Sequence, residues 1–588
     1  MCGIAGVFSA AGNIGPEDVA CVRRMSSAQT HRGPDDSGEF IDAHAALAHR
    51  RLSIIDLSEA GRQPLANEDA SVQVICNGEI YNYRELRKEL TGAGHRFRSE
   101  SDSEVLAHGY EQWGMPALLG RLRGMFAFVL YDAKRKACFA ARDRLGIKPL
   151  YYFEQRRSER GGKFIFASEV KAIASDEGID PDAVAGLLLL GSVPHPLTWR
   201  KGVRCLEPAA WMEISQDGVR TERYWTLAGK SHGEMRAVLS DAAERHLISD
   251  APLGVFLSSG VDSTGLVALA RRAGSRVRTL TVTFDEADHN EQTAGIARRF
   301  ETEHSEIRIA AGDFVDEIPR ILAAMDQPTS DGVNTYFVSK AARACGLKTV
   351  LSGLGGDEVF RGYRHYAWLA KYQGEWDAFA AMPGALRRAG SAFAASAGAA
   401  MGKESWRRLR DIGEATTESL YLAIRGFFDS DSVERLTGMR PSMPELSEDA
   451  SFQTIEMRRY LHDQLLRDAD VFGMACSLEI RVPYLDHEVV ETALAQADEY
   501  HARQGVNKPL LVDAIGDDVV LDAARRPKAG FVLPLGKWMR KHSDELRERA
   551  LQSDLDCGEI RRLWSAFESG KMNATRAWAL VVLGSMRA

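Results

Sequence analysis

The amino-acid sequence predicts an α+β domain, a β-sandwich with flanking helices, followed by an α/β domain with a parallel sheet. Three observations support this fold class. The chain has 588 residues, more than a single hydrophobic core usually serves. In residues 1–213, short apolar runs alternate with Gly, Asp and Asn, which is typical of strands joined by turns. From residue 236 onward, apolar strands alternate with helical segments, which is typical of a parallel sheet covered by helices on both faces.

These changes in pattern set the expected domain boundaries. Residues 1–213 should form the first domain, residues 214–235 a linker and residues 236–545 the second domain. Within the second domain, residues 366–449 are expected to be helical, with an alanine-rich stretch that forms a surface helix or loop. Residues 546–588 are expected to form a C-terminal helical tail.

The elements of the first domain follow in order along the chain. Runs rich in Val, Ile, Phe and Tyr predict strands, and longer segments with apolar residues on one face predict helices. The predicted strands are CGIAGVF, AALAHRRLSII, VQVICNGEIY, GMFAFVLYD, ACFAARD and KFIFASE. The predicted helices are EDVACVRRMSSA and YRELRKEL.

The second domain begins with the predicted helix MRAVLSDAAERHL. The stretch APLGVFLSSGVDSTGLVALARRA then predicts a strand, a turn rich in Ser and Gly, and a helix. Further strands are predicted at RTLTVTF, SEIRIA and LKTVLSG. Because ligands of such sheets bind at the carboxyl ends of the strands, the turns after these strands are where a binding site is expected.

Composition excludes several classes of function. The net charge of −8 argues against a nucleic-acid-binding surface, which needs clustered Lys and Arg. The eight cysteines are scattered, without a C-x-x-C pair or zinc-ligand spacing, so neither a disulfide framework nor a metal cluster is expected. There is no signal-peptide pattern and no apolar run long enough to span a bilayer. We therefore expect a cytoplasmic protein without a membrane or nucleic-acid partner.

Two stretches point to a phosphorylated ligand. LSSGVDSTG follows a strand and opens a helix, so its backbone N–H groups can bind an anion. It lacks the Lys of the GxxxxGK[ST] loop and carries Asp262, which suits a loop that also holds Mg²⁺. An ordinary capped helix start is the alternative interpretation. In LSGLGGDEVFRGY a second strand end presents Asp357, so two carboxylates could hold one magnesium ion beside ATP.

The order and spacing of the motifs resemble a known family. SSGVDS, SGLGGDEVFRGY, SLEIRVPYLDH and RRPKAGF are similar to the synthetase domain of the glutamine-hydrolysing asparagine synthetases. MCGIAG, HRGPDDSG, RLSIIDL, NGEIYNY, SDSEVL and RDRLGIKPLYY resemble the class II glutamine amidotransferase domain of the same family. The resemblance covers nearly the whole chain and is weakest in the alanine-rich stretch and the C-terminal tail. It implies an N-terminal nucleophile hydrolase fold, followed by a fold like that of the adenine-nucleotide hydrolases.

Cys2 is the expected nucleophile of the first domain. If Met1 is removed, the α-amino group of Cys2, with a reference pKa of about 7.7–8.0, can accept the thiol proton. No histidine is then needed as a base, so His31, His44 and His49 are expected to be structural or surface residues. The resemblance implies that Asn77 and the Gly78 N–H stabilise the oxyanion, that Arg51 binds the glutamine carboxylate, and that Glu79 and Asp102 bind its ammonium group. The implied glutamine-binding residues are Arg51, Leu52, Ile54, Asn77, Gly78, Glu79 and Asp102.

The resemblance also implies ATP as co-substrate and Mg²⁺ as cofactor in the second domain. Asp262 and Asp357 are the implied metal ligands, and Lys528 is expected to contact the α-phosphate or the charged transition state. Glu479 and Arg481 are expected to brace the site as an ion pair. The implied ATP-binding residues are Leu257, Ser258, Ser259, Gly260, Asp262, Ser263, Val282, Ser352 and Gly353.

The implied activity is glutamine-dependent asparagine synthesis, in which ammonia from glutamine displaces AMP from an aspartyl adenylate. Leu354 and Gln327 stand where aspartate-specific relatives frequently carry acidic residues. An amidotransferase acting on another carboxylate, such as a sugar uronate or a natural-product precursor, is therefore the alternative. A non-catalytic glutamine or nucleotide sensor is a third hypothesis, which the intact Cys2 and Asp262 disfavour. Family members commonly form homodimers, which is the assembly implied here.

Overall fold

A computed structural model describes most of the chain. The described residues are 2–155, 162–174, 177–284, 291–401, 404–442, 444, 450–496, 505–527 and 533–586. The twelve strands of the N-terminal part are β1 (Gly3–Phe8), β2 (Asp36–Ile41), β3 (Ala45–Arg51), β4 (Leu65–Ala66), β5 (Val72–Ile80), β6 (Gly124–Asp132), β7 (Ala137–Arg142), β8 (Tyr151–Gln155), β9 (Lys163–Ala167), β10 (Arg204–Cys205), β11 (Ala210–Ser215) and β12 (Gly218–Arg223) within the described residues. The later strands are β13 (Leu253–Phe256), β14 (Arg278–Phe284), β15 (Glu303–Ile309), β16 (Thr349–Leu351) and β17 (Glu479–Arg481).

Helices surround these strands. The first ten are α1 (Pro16–Ala28), α2 (Tyr83–Gly92), α3 (Val105–Trp113), α4 (Met115–Arg121), α5 (Pro181–Leu190), α6 (Met235–His246), α7 (Val261–Arg272), α8 (Glu291–Arg299), α9 (Ala311–Ala324) and α10 (Val333–Ala344). They are followed by α11 (Gly356–Val359), α12 (Arg364–Lys371), α13 (Gln373–Ala380), α14 (Gly384–Ala400), α15 (Thr417–Arg425), α16 (Ser430–Thr437), α17 (Phe452–Glu456), a π-helix (Met457–Leu466), α18 (Arg467–Ala475), α19 (His487–Gln496), α20 (Pro509–Ile515), α21 (Asp518–Arg525), α22 (Leu535–Lys541), α23 (Ser543–Ala550), α24 (Cys557–Glu568) and α25 (Ala574–Ser585). Short 3₁₀ segments lie at Glu59–Gly61, Asp102–Glu104, Val170–Ala172, Glu404–Glu414 and Pro483–Leu485.

The N-terminal strands form two antiparallel sheets. Their strand orders are β10-β8-β9-β1-β3-β2 and β12-β11-β7-β6-β5-β4. β1 and β7 are buried along their whole length, which is why their sequences are almost continuously apolar rather than alternating. One hydrophobic cluster contains Phe8 and Leu47 of the first sheet together with Val129 and Met212 of the second. This shared cluster supports face-to-face packing of the two sheets.

The expected linker begins too early. Residues of β12 pair antiparallel with β11, from Ala210–Arg223 to Ser215–Gly218, and so extend the second sheet. The apolar pattern does not predict β12, because it is an edge strand that is mostly exposed and rich in charged residues. The segment between β12 and α6 is therefore shorter than the expected 214–235.

The later strands form a five-stranded sheet with the order β15-β14-β13-β16-β17, and every pairing in it is parallel. Antiparallel sheets followed by a parallel sheet confirm the predicted succession of an α+β part and an α/β part. Because β13 and β16 are neighbours, the turns that follow them lie side by side at the carboxyl edge of the sheet. These two turns contain the two phosphate-site motifs.

The C-terminal segment and the alanine-rich stretch are both helical, but they differ in burial. Trp564 and Trp578 of the C-terminal segment are fully buried, and the ring of Trp578 lies 6.0 Å from that of Phe314. Residues 546–586 are thus packed into the second domain's core. The alanine-rich stretch forms α14, a helix on which Phe393 is 76% exposed.

Buried polar contacts join the two parts of the chain. The Arg32 guanidinium lies 2.7 Å from the Asp470 carboxylate, and both side chains are buried. The backbone N–H of Val170 donates to Asp326 at 3.0 Å. A continuous hydrophobic cluster also includes residues from both parts, for example Leu52 and Leu485. The two parts therefore share an interior.

Candidate active sites

Cys2 and Asn77 meet on neighbouring sheets of the first domain. Cys2 precedes β1 and is 7% exposed, and its backbone N–H donates to Asn77 Oδ1 at 3.1 Å. The backbone of Leu52 hydrogen-bonds the thiol, and burial raises the pKa of Cys2 although Arg51 opposes the shift. Asn77 Nδ2 is buried and has no hydrogen-bond partner among the described residues. The amide therefore points a free donor into the space around the nucleophile.

Gly78 supplies the second expected donor position. It has φ = +152°, and a Cβ atom there would lie 2.1 Å from the carbonyl oxygen of Met125 on the paired strand β6. Only glycine fits this part of β5, which explains the Asn-Gly pair at the site. The structure thus brings Cys2, Asn77 and Gly78 together, as the motifs led us to expect.

Arg51 is held by the loop that follows β3. Its guanidinium donates to the carbonyl oxygens of Ser58, at 2.7 Å, and of Asp56. Leu52 and Ile54 lie in the hydrophobic core beside it and are at most 3% exposed. Arg51 is therefore fixed before any ligand binds, in the orientation set by these carbonyl groups.

Two buried carboxylates come after Asn77 in the chain. Glu79 lies on β5, and Asp102 lies in the Ser-rich turn that follows α2. Asp102 accepts from the N–H of Ile80 at 2.7 Å, and burial raises its pKa to about 6. Burial, together with the charge of Glu479, also raises the pKa of Glu79 well above its usual range. Arg481 lies 3.4 Å from Glu79 and pairs with Glu479, so the expected ion pair exists and also contacts Glu79.

The expected structural histidines have structural contacts. His31 lies 2.8 Å from Glu169, and the ring nitrogens of His44 and His49 lie 3.1 Å from the carbonyl oxygens of Ser9 and Cys76. Gln327 is buried between the two parts of the chain, where its side chain bonds Trp199 and Tyr151 at 2.9 and 3.1 Å. Gln327 therefore lies among residues of the first domain, whereas Leu354 lies in the second phosphate-site turn.

The phosphate-site turn after β13 is preorganised. Ser263 Oγ accepts from the Ser258 N–H at 3.0 Å and lies 2.8 Å from Ser258 Oγ, which closes the turn over Gly260. Leu257 continues β13 by bonding Leu280 at 2.8 Å, and Val282 lies on the adjacent strand β14. Ser352 and Gly353 follow β16, so all expected nucleotide residues border one edge of the sheet, with Ser259 in the same turn. The N-terminus of α7 opens at this edge, as an anion site requires.

Asp262 and Asp357 converge on one lysine. Lys508 Nζ lies 2.6 Å from Asp262 Oδ1 and 2.9 Å from Asp357 Oδ1, and the lysine is 2% exposed. Burial alone would lower the pKa of Lys508, but the two carboxylates outweigh it and raise the pKa. Two carboxylates that share one ammonium group are also close enough to share one divalent cation, so the residues fit Mg²⁺.

Lys508 was missed by the sequence analysis. It lies 246 residues from Asp262, directly before α20, in the left-handed region with φ = +53°. Its neighbours NKPLL carry no recognisable chemical pattern, and only the strained backbone explains how it reaches the carboxylates. Lys528, the lysine expected at this site, lies outside the described residues.

Comparison with known proteins shows the relatives of this chain. A glutamine amidotransferase domain model matches residues 1–225, and an asparagine synthase model matches residues 234–586. The chain is 32% identical to the glutamine-hydrolysing asparagine synthetase 1 of Bacillus subtilis (strain 168), over 94% of this chain and 90% of that protein.

The chain belongs to the glutamine-hydrolysing asparagine synthetase family.

A putative asparagine synthetase of Mycobacterium bovis is 33% identical over 99% of this chain and 96% of its own length. A solved glutamine phosphoribosylpyrophosphate amidotransferase from B. subtilis aligns with 60% of this chain, at 16% identity and a TM-score of 0.29. As a member of this synthetase family, the protein is an ATP-dependent ligase that hydrolyses glutamine. Within the described residues, no helix is both long and apolar enough to cross a membrane.

Proposed function

We propose that this synthetase makes asparagine from aspartate, glutamine and ATP. The observation that carries the proposal is the presence of two separate clusters of reactive and charged residues in one chain. Cys2 lies beside a buried amide donor, Asn77, in the first, and the Asp262–Asp357–Lys508 cluster borders an anion-binding turn in the second. A binding protein would need neither a nucleophile nor such a cluster.

In the first site, the Cys2 thiolate attacks the side-chain carbonyl of glutamine. Asn77 Nδ2 and the Gly78 N–H stabilise the resulting oxyanion, ammonia leaves, and water releases glutamate from the thioester. After removal of Met1, the α-amino group of Cys2 takes the thiol proton and returns it to the leaving ammonia. Arg51 binds the glutamine carboxylate, while Glu79 and Asp102 bind its ammonium group.

In the second site, a carboxylate oxygen of the acceptor attacks the α-phosphate of ATP. Pyrophosphate leaves, ammonia from the first site attacks the acyl adenylate, and AMP is released. Asp262 and Asp357 would hold Mg²⁺, which supplies positive charge to the phosphates. Lys508 then binds the charged phosphates, because a cation that loses its carboxylate partners to a metal is available for another anion.

The experiment measures AMP and amide product with aspartate and with other carboxylates, each with glutamine or ammonium chloride as nitrogen source. Aspartate should give stoichiometric AMP and asparagine with both nitrogen sources. A Cys2→Ala variant should keep only the ammonia-dependent reaction, since the nucleotide site stays intact. The proposal would be contradicted if none of the tested carboxylates led to AMP formation.

One observation favours a different acceptor. Leu354 lies between β16 and α11, partly buried against the hydrophobic core, where an acidic side chain would face the ammonium group of aspartate. A separate cavity of about 640 Å³ is lined by Arg361, Arg364 and Lys508, and its volume lies in the range of about 300–1,000 Å³ typical of small-molecule sites. The second candidate is therefore amidation of a larger carboxylate that carries further negative charge.

A Leu354→Glu variant separates the two candidates. If aspartate is the acceptor, the added carboxylate should leave the activity with aspartate unchanged or increase it. If the acceptor is a larger anion, the variant should lose its native reaction and gain activity with aspartate. The ratio of kcat/KM for aspartate to that for a uronate, measured by AMP release, distinguishes these results.

A further inference from the structure

A second cluster of ligating side chains lies in the first domain, away from both sites. Glu68 follows β4, His95 follows α2, and His108 and Glu111 are three positions apart on α3. One nitrogen or oxygen atom from each of the four residues lies within 4.8 Å of the other three. We propose that these residues bind a divalent transition metal, with Zn²⁺ as the best match.

The buried histidine has the geometry of a metal ligand. His108 is completely buried, and within the described part of the chain neither of its ring nitrogens makes a hydrogen bond. Nδ1 faces Glu68 Oε2 at 3.4 Å, while Nε2 faces the buried carboxylate of Glu104 at 3.5 Å. Burying an imidazole without a hydrogen-bond partner is costly, and a metal ion at Nδ1 would remove that cost.

Glu104 occupies the position of an orienting carboxylate. Metal-binding histidines usually direct their second ring nitrogen at such a group, which sets the tautomer. Glu104 is itself fixed by the N–H groups of Arg98 and Ser99, at 2.7 and 2.8 Å. His108 therefore presents the Nδ1 lone pair to the cluster.

His95 is oriented in the same way. Its Nε2 lies 3.2 Å from Gln112 Oε1, an acceptor, so the proton belongs on Nε2 and the lone pair on Nδ1. Nδ1 in turn lies 3.4 Å from Glu68 Oε1 and 3.9 Å from Glu111 Oε2. Both imidazoles thus direct a lone pair toward the two carboxylates.

The donor set selects the metal. Two imidazoles favour Zn²⁺ and its neighbours over Mg²⁺ and Ca²⁺, which prefer oxygen ligands. In a tetrahedral zinc site with bonds of about 2.0–2.2 Å, donor atoms are about 3.3–3.6 Å apart. Each histidine lies 3.4 Å from one oxygen of Glu68, His95 from Oε1 and His108 from Oε2. The four ligating atoms lie within 4.8 Å of one another, so metal binding requires a small contraction of the cluster, which the 38% exposed Glu111 can follow.

This site could not be predicted from the sequence, because its ligands come from three segments without a short motif. The site would tie the turn after β4 to the end of α2 and to α3. These segments enclose the Ser-rich turn that carries Asp102, so the metal would stabilise one wall of the glutamine site from outside.

The test uses the full-length protein, freed of metals by chelation and then kept in excess Mg²⁺ so that the carboxylates of the second domain are occupied. Zn²⁺ is titrated against a chromophoric chelator, and Co²⁺ is added separately for its visible spectrum. The variants are Glu111→Gln and His95→Gln. The control is Glu39→Gln, because Glu39 is also 38% exposed and lies in the same domain outside the cluster.

We expect one Zn²⁺ per chain for the wild type and for Glu39→Gln, with binding at least about tenfold weaker in both cluster variants. Zinc should raise the melting temperature by several degrees in the wild type and in Glu39→Gln, but not in the two cluster variants. Bound Co²⁺ should show bands of nitrogen and oxygen ligation, without the near-ultraviolet band of a thiolate complex.

Equal zinc binding by the wild type and Glu111→Gln would overturn the proposal, as would no binding at micromolar zinc. In the second case the cluster consists of histidine–carboxylate ion pairs alone. Both cluster variants change partly exposed side chains, and circular dichroism checks that they fold.

Discussion

At the scale of single residues, the proposed glutamine site contains a buried donor without a partner and a buried carboxylate. Asn77 Nδ2 has no hydrogen-bond partner in the described part of the chain, and Asp102 is buried with a pKa of about 6. Such groups raise the free energy of the folded protein unless a ligand pairs with them. They are therefore the positions at which substitution should change catalysis more than folding.

Asn77→Asp replaces the free amide donor by a carboxylate of the same shape. Glutamate release should fall about 10²–10³-fold in kcat, because an oxyanion-hole donor is lost and a negative charge faces the developing oxyanion. Asn77 Oδ1, which accepts from Cys2, keeps its counterpart in Asp. The ammonia-dependent reaction serves as the internal control and should be unchanged. A variant with normal glutamine hydrolysis would show that Asn77 is not the donor.

Asp102 predicts a pH dependence of glutamine binding. Its pKa of about 6 lies above the usual value of 3.8, so the carboxylate becomes neutral as the pH falls through about 6. The ammonium group of glutamine then loses one of its charged partners, and KM for glutamine should rise below pH 6. KM for the other site, expressed as the concentration of unprotonated NH₃, should not follow this curve. An unchanged KM for glutamine between pH 7 and about 5.5 would contradict the role of Asp102.

At the scale of elements, glycines allow the two phosphate-site turns to approach each other closely. A Cβ atom on Gly356, at the start of α11, would lie 2.4 Å from Asp262 Oδ1 on α7. A Cβ on Gly362 would lie 2.1 Å from Asp357 Oδ1. The carboxylates can take these positions beside Lys508 only because positions 356 and 362 carry no side chain.

Gly356→Ala should therefore displace Asp262 and disable the second site. We expect loss of AMP formation with both nitrogen sources, while glutamine hydrolysis persists. Gly374→Ala is the control, since a Cβ there has open space within 4 Å and the residue lies in α13. The control should be as active as the wild type and slightly more stable, by about 0.5–1 kcal/mol. Normal AMP formation by Gly356→Ala would show that Asp262 tolerates displacement.

Elements were predictable where local pattern and tertiary environment agree. β1, β5, β6, β7 and β14 coincide with apolar runs, because these strands are buried and their composition reflects it. β12 and β17 were not predicted, since one is a charged edge strand and the other has three residues. Cys2, Asn77, Asp262 and Asp357 stand in recognisable motifs, whereas Lys508 and the Glu68–His108 cluster arise only when distant segments fold together.

At the scale of the whole molecule, Arg32 connects the two parts of the chain. Its Nε donates to the carbonyl oxygen of Cys2 at 3.0 Å, and its Nη2 lies 2.7 Å from Asp470 on α18. Lys148 lies 3.7 Å from the same carboxylate. One buried network thus runs from the backbone of the nucleophile to a helix of the second domain.

Asp470→Asn should separate the activities and destabilise the protein. The substitution removes one of the two buried carboxylates that pair with Arg32 and leaves Glu169 as the other, which should cost about 1.5–3 kcal/mol. The urea midpoint should fall, and less of the ammonia released from glutamine should appear in amide product. Asp544→Asn is the control, because Asp544 pairs with Arg547 at the surface and is 88% exposed. Unchanged stability and an unchanged ratio of amide to glutamate would show that this network does not couple the sites.

The Arg32–Asp470 pair also bears on how such proteins can diverge. Consider a gene fusion that joins residues 1–225 of one relative to the synthetase domain of another. The residues at positions 32 and 470 then come from different ancestors. Unless both ancestors carry the pair, the hybrid lacks one of the two carboxylates that pair with the buried Arg32 next to the backbone of Cys2. Selection should therefore act against recombination at the domain boundary, although that boundary lies far from Asp470 in sequence. We expect the two domains to be inherited together.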